Sequence, residues 1–437
     1  MLGLCGYLFG AWGLISFWGE VVLIMGVGVI LVLIGRRDIG LVRVTEIFEV
    51  DSVGLSLITL RLWIGLISIL GRTRVNKFFN YNKGFLFLNL LLIVFLVLRF
   101  SFREYLIFYM RFEARLVPIL LIILGWGLQP ERTQAGIYIL MYTLFGSLPL
   151  LFGLLFWQRR EARGSMFFYI SSVVEGGAFF FLLIAFLVKF PIYGTHLWLL
   201  KAHVEAPVGG SILLAGVLLK LGGYGIIRVF PIFTGNAHFI EWLVCLSLWG
   251  GLVIRVRCLR QLDIKLLVAR SSVAHMRGCI GGILVLRELG LKGRVGIIVA
   301  HGLCSSGLFF LVNVVYSRTG RRRLIIRKGL LNLMPIIRIW WFFMIVVNIR
   351  GPPRINLLSE VILIIRLVRW RRGLIFCLRL ITFFRAGYRL YLFSLSQHGS
   401  FFFRKGLFQG ASVVEYIVIR YHWGPLNLLI LSFYLVL

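Results

Sequence analysis

Six ionisable side chains lie inside apolar stretches, where a purely structural segment would not carry them. Glu113 sits in YLIFYMRFEARLVPILLIIL, Lys189 ends FFLLIAFLVKFP, and Lys220 interrupts GGSILLAGVLLKLGGYGIIR. Glu360 lies in INLLSEVILII, His275 in SSVAHMRG and His301 in IIVAHGLCSSGLFFL. Ionisable groups in such surroundings are expensive to bury and mark ion or proton paths. Lys220 is deepest, about 21 Å along a helix from Ala206 at 1.5 Å per residue. Burial disfavours its ammonium form and a nearby carboxylate favours it, which poises the group to take up and release a proton. Glu113 fits either a carboxylate paired with a lysine or a neutral acid donating one hydrogen bond. Lys189 could instead snorkel to the headgroups. The two histidines suit proton carriage near neutral pH or haem ligation. Glu175 in SSVVEGGAFFF is a further candidate, and His196, Lys201, His203 and Glu205 form a polar cluster that offers metal-ligand types but fits a turn between two spans better.

The elements that must position these groups are membrane helices. The 437 residues are 60% hydrophobic and only 15% charged, with a mean hydropathy of +0.94. A soluble domain is about 45–50% apolar and about 25% charged. The balance excludes a cytosolic enzyme, a disordered scaffold and a disulfide-built secreted domain. About 20 apolar residues cross a bilayer as a helix. Runs of that length fall near 4–35, 52–70, 84–102, 104–126, 135–157, 166–189, 206–228, 239–257, 262–287, 294–317, 330–350, 355–371, 373–395 and 413–436. The expected fold is an all-α polytopic membrane protein of about 14 helices in a single transmembrane domain. The runs are continuous rather than alternating, which disfavours a β-barrel. The first run is too long, and lacks an early basic region, for a cleavable leader.

Two stretches predict helix interruptions. KFPIYGTHLW (189–198) places Pro191 and Gly194 at the end of an apolar run, and NIRGPPRINLLSE (348–360) places Gly351, Pro352 and Pro353 ahead of Ser359 and Glu360. Proline removes a backbone donor and clashes with the preceding turn. Broken helices at membrane depth persist where they line a cavity. No GxxxxGKS, GxGxxG after a strand, HExxH or GxSxG occurs, so nucleotide, flavin, zinc-protease and hydrolase sites have no support. The six cysteines are scattered without a CxxC, which argues against a zinc or iron–sulfur site. Gly6 and Gly10 form a GxxxG, a weak helix-packing signal.

The net charge of +32 is physically odd. Nucleic-acid binding would gather the basic residues into patches. Here arginines lie inside apolar runs: Arg61, Arg99, Arg115, Arg366 and Arg379 among them, against only 16 acidic residues in the chain. Each unpaired arginine at mid-bilayer costs about 2.5–3.5 kcal/mol. Some mitochondrial codes read AGA and AGG as serine, and the expectation is that many of these positions are serine. The distribution of basic residues therefore carries no signal of membrane topology.

HLWLLKAHVEAPVGGSILLAGVLLKLGGYGIIRV (196–229) resembles the signature of the chain 4 family of mitochondrial NADH–ubiquinone oxidoreductase. So do FEARLVPILLIILGWGLQPERTQAG (112–136), CLRQLDIKLLVARSSVAHM (258–276), AHGLCSSGLFF (300–310) and GPPRINLLSE (351–360), in the family's order. The resemblance implies a proton-translocating, antiporter-like subunit of respiratory complex I, multi-pass in the mitochondrial inner membrane. It implies two inverted five-helix repeats with broken helices: N-terminal helices over 1–103, a first repeat over 104–257, a second over 258–395 and a C-terminal helix over 396–437. By position it assigns Glu113, Lys189, Lys220, His275, His301 and Glu360 to a proton relay. It implies no cofactor in this chain, with NADH, FMN, iron–sulfur clusters and ubiquinone in other subunits. The partners implied are neighbouring antiporter-like subunits and membrane lipid, with no nucleic acid. Arg115, Arg270, Arg277 and Arg354 depart from the family pattern, whereas Arg132, Arg228 and Arg260 match it. Rival readings are a stand-alone cation/proton antiporter subunit, a membrane haem protein using His275 and His301, and a structural spacer.

Overall fold

A computed structural model describes residues 7, 10, 18–34, 42–43, 48–71, 82–127, 129–161, 166, 176–230, 237–285, 288–330, 334–352, 354–399 and 410–431. Glu175 and Pro353 lie outside the described residues. The described chain is helical apart from a two-residue antiparallel ribbon, β1 (Val42–Arg43) and β2 (Glu49–Val50). It divides into two compact units. The first runs to Phe190 and takes up Glu205–Phe239; the second holds Pro191–Val204 and the chain from Ile240.

The first unit begins with α1 (Trp18–Ile34), α2 (Ser52–Leu70) and α3 (Asn82–Ser101). Asp51 caps α2, its side chain accepting from the Gly54 N–H at 3.0 Å. The Gly71 N–H closes the other end on the Ile67 carbonyl at 2.9 Å. Then come α4 (Tyr105–Ala114), α5 (Leu116–Trp126), α6 (Arg132–Glu161) and α7 (Gly176–Lys189). The unit closes with α9 (Val208–Leu213), a π-turn (Leu214–Leu218) and α10 (Leu219–Val229). Every residue from Gly209 to Val229 is buried. Arg228, 4% exposed, pairs with Asp51 at 2.5 Å, and the Tyr105 hydroxyl donates to the Arg228 carbonyl at 2.9 Å.

Asp51 therefore both caps α2 and balances a buried guanidinium. Asp51→Ala is expected to cost the cap, about 1–2 kcal/mol, and to strand Arg228 as well. Asp51→Asn keeps the cap and loses only the charge. Thermal unfolding of detergent-solubilised protein should rank wild type above Asn above Ala.

The second unit contains α8 (Leu197–Glu205, up to Val204), α11 (Ala237–Leu259, from Ile240), α12 (Ile264–Leu284) and α13 (Glu288–Thr319). It continues with α14 (Pro335–Ile349), α15 (Ile355–Trp370), α16 (Leu374–Gln397) and α17 (Val413–Leu431). Asp263 caps α12 by accepting from the Lys265 N–H at 3.0 Å. α14 starts on Pro335, whose missing N–H costs nothing in a first turn, and stops at Arg350 in a left-handed conformation (φ 76°). The segment expected as a polar turn over 196–205 is mostly the helix α8.

Among the described residues, six helices are long and apolar enough to cross a membrane: α2, α3, most of α6, α9 through α10, α11 from His238, and α13 from Gly290. α1 and α14 are apolar but shorter. α12 and α16 have the length, but each carries three basic residues: Lys265, Arg270 and Arg277 in one, Arg379, Arg385 and Arg389 in the other.

Candidate functional site

In the first unit the site begins at an interruption the sequence reading placed within one helix. Pro118 has no N–H for the Ala114 carbonyl, and the helix breaks there, α4 ending at Ala114 and α5 starting at Leu116. Glu113 stands in the last turn of α4. α7 ends at Lys189, and the chain turns through Phe190–His196 before α8. Gly194 in that turn has φ +106°, a conformation that only glycine adopts readily.

The two interruptions bring an acid and a base together. Lys189 Nζ donates to Glu113 Oε1 at 2.9 Å, between residues 76 positions apart. The ammonium also lies 3.2 Å from the centroid of the Phe112 ring. Lys189 is 3% exposed and Glu113 19%, so the pair is largely withdrawn from solvent. In low dielectric each charge holds the other, and a change in their separation alters how readily each binds a proton.

Lys220 is fully buried (0% exposed) and donates through Nζ to the Ala215 carbonyl. That carbonyl belongs to the π-turn Leu214–Leu218, a winding the sequence reading did not anticipate. Such single π-turns recur at functional positions in helices. α10 packs closely on the end of α7. A Cβ at Gly222 would come within 2.7 Å of both the Phe190 nitrogen and the Phe190 Cβ. Gly222→Ala is expected to force the helices apart at a cost of about 1–3 kcal/mol, read as less assembled protein in the membrane. Gly10, which meets nothing within 4 Å, should tolerate alanine in the same assay.

In the second unit α12 and α13 face their histidines toward each other. The rings of His275 and His301 have centroids 5.4 Å apart at 42°. Arg350 Nη2 lies 3.3 Å from His275 Nδ1, and Arg389 Nη2 stands against Nε2 of the same ring. Arg389 also donates to Asn348 Oδ1 at 2.7 Å. The Glu360 carboxylate meets the guanidinium groups of Arg350 and Arg385. The turn at Arg350, with Gly351 and Pro352 after it, separates α14 from α15, so Glu360 stands in the second turn after this break.

Three groups in this unit were passed over in the sequence. Lys265 Nζ donates to the Val204 carbonyl at 2.8 Å; the only signal was a lysine opening an apolar run. Asn348 is the Arg389 partner just described. His422 is fully buried in α17, its Nδ1 bonded to the Val418 carbonyl at 2.8 Å and its ring stacked on Phe310. In the 196–205 cluster, Lys201 is exposed, His203 is buried with its ring 4.6 Å from that of Phe309, and His196 stacks on Tyr193. No group of three or more potential metal ligands occurs among the described residues.

Two family models match the chain. One, described as NADH:quinone oxidoreductase/Mrp antiporter, TM, covers residues 103–384. The other, NADH-ubiquinone oxidoreductase chain 4, amino terminus, covers residues 7–99. The chain is 46% identical over 395 residues to the NADH-ubiquinone oxidoreductase chain 4 of Ceratitis capitata, covering 90% of this chain and 88% of that one. It is 43% identical to the corresponding chain of Aedes aegypti, covering 88% and 87%. Its fold is similar to a chain of respiratory complex I from Thermus thermophilus with bound NADH, at a TM-score of 0.85 and 22% identity over 97% of this chain and 94% of that one. A chain of the membrane-bound sulfane sulfur reductase, an archaeal respiratory membrane complex, gives the same TM-score at 13% identity.

Proposed function

Because the chain belongs to the NADH-ubiquinone oxidoreductase chain 4 family, we propose that it is a proton-translocating membrane subunit of respiratory complex I. Its relatives of this name are eukaryotic, and the inner mitochondrial membrane is the location that fits them. NADH oxidation and quinone reduction take place in other subunits, and this chain contributes proton transfer to the same enzyme. Its partners are then the other subunits of the complex, antiporter-like neighbours included, together with lipid. The full architecture in this reading is about 14 helices arranged as two inverted five-helix repeats, each with a broken helix. The interruptions at 190–196 and 350–354 support it.

The observation that carries the reading is the Glu113–Lys189 pair, a 2.9 Å contact held at two chain breaks inside an apolar helical unit. As a mechanism, the pair opens and closes. While closed, each group stabilises its partner's charge; while open, the lysine gives its proton onward and the carboxylate takes one up. Lys220 is the next carrier, and His275, His301 and Glu360 complete the relay, with water bridging the gaps.

In vesicles containing the purified complex, NADH oxidation with ubiquinone should drive proton transport that needs no sodium. The second reading is a stand-alone cation/proton antiporter of the same fold, which the antiporter part of the matched family description favours. Sodium-dependent exchange by a small assembly lacking electron transfer would establish it in place of the first.

A further inference from the structure

Six buried arginines leave guanidinium donors without a partner among the described residues. Arg61 and Arg277 are 0% exposed, and among the described residues none of their nitrogens makes a hydrogen bond. The same is true of Arg99, whose guanidinium carbon lies 4.2 and 4.1 Å from the Phe108 and Phe112 ring centroids. Arg115 and Arg294 each bond one carbonyl of their own helical turn through Nε, at 2.8 and 2.7 Å, and leave Nη donors unused. Arg389 leaves Nε and Nη1 unused. None of the six forms an ion pair with any described carboxylate. A guanidinium carries five donors and cannot shed its charge. Ring faces answer only part of that demand.

The surroundings of His275 add an independent contradiction. Arg350 and Arg389 present donors to its two ring nitrogens. A neutral imidazole has one acceptor nitrogen, and an imidazolium has none. Two arginines cannot both be satisfied there.

A hydroxyl resolves each of these positions. The same helices already carry buried serines, and each is satisfied by the preceding turn alone. Ser68 of α2 donates to the Gly65 carbonyl at 2.7 Å, and Ser101 of α3 to that of Val97 at 2.8 Å. Ser271 of α12 donates to Val268 at 2.8 Å, and Ser306 of α13 to Gly302 at 2.8 Å. A serine at 61, 99, 277 or 294 would need no partner beyond its own helix.

We infer that positions 61, 99, 115, 277, 294 and 389 carry serine in the native protein, their codons being AGA or AGG read by a mitochondrial code that assigns them to serine. Arginines with a carboxylate partner are a separate class. Arg228 pairs with Asp51 at 2.5 Å and Arg318 with Glu415 at 2.6 Å, so each of these guanidinium groups has the counter-charge its burial requires. With serine at 115 and 389, Glu113 loses a cation two residues away and His275 loses one against its ring. The inference rests on burial in a membrane protein and is independent of whether the relay operates.

The test is peptide mass spectrometry of the chain isolated from its own membrane, digested separately with trypsin and chymotrypsin, alongside the gene sequence. Chymotryptic peptides across the six positions should have serine masses, and trypsin should cut after Arg228 and Arg318 but not at the six. The codons should be AGA or AGG at the six and CGN at 228 and 318. An arginine mass in the peptide spanning 99 or 277, or a CGN codon at either position, would overturn the inference. Loss of proton transport in an unrelated variant would leave it untouched, so the two readings fail separately.

Discussion

Replacing Lys220 with methionine should lower NADH:ubiquinone turnover and proton transport together, by about 100-fold, within the range for loss of a positioned acid–base group. Methionine keeps the length and apolar stem of lysine, so the fully buried space around residue 220 stays filled. What disappears is the ammonium that donates to the Ala215 carbonyl. Activity must be expressed per assembled complex, because a packing defect would lower the amount of complex and leave each copy normal. Both rates are expected to fall because tightly coupled pumping stalls electron flow when a carrier is missing. An unchanged ratio of protons to electrons at normal turnover would remove Lys220 from the relay.

The second large effect concerns the Glu113–Lys189 pair. Glu113→Ala alone leaves a 3%-exposed ammonium without its carboxylate, and breaking a buried pair from one side costs about 3–5 kcal/mol. The 19% exposure of Glu113 puts this case toward the lower end. Poor assembly is the expected phenotype of either single truncation. The double variant Glu113→Gln with Lys189→Met removes both charges, and should recover assembly because neither residue is left as an ion stripped of its partner. It should not recover transport, since neither group can then change protonation. Recovered assembly shows that the two charges are coupled, and lost transport in the assembled double variant separates a working pair from a structural one. Transport at wild-type rates in the double variant would make the pair a staple alone.

Much of the helical architecture was legible because membrane helices announce themselves by length. The run read over 52–70 is α2 itself, and the Pro191 and Gly194 signal coincides with the turn between α7 and α8. Less legible were features that depend on one backbone group. The break at Arg115 follows from a single missing donor at Pro118, and hydropathy does not register it. The π-turn ahead of Lys220 leaves no mark in an apolar run, because side-chain type says little about which carbonyl an N–H selects. The polarity of His196, Lys201, His203 and Glu205 predicts a turn, yet a short helix carries the last three, with His203 inward and Lys201 outward. The contact of Glu113 with Lys189 lies outside any local pattern, since 76 residues separate them, and only the family resemblance pairs the two in the sequence.

The helix that holds Lys220, Leu219–Val229, is buried at every residue. Ordinary membrane helices owe their roll angle partly to oil on one flank and protein on the other. This one has no oily flank, so its bearing is dictated entirely by the walls around it. During synthesis α2, α3, α5 and α7 all emerge before it, and it must enter a socket they have already begun to build. A fault in any earlier helix can therefore misalign Lys220 without touching the residues that surround it.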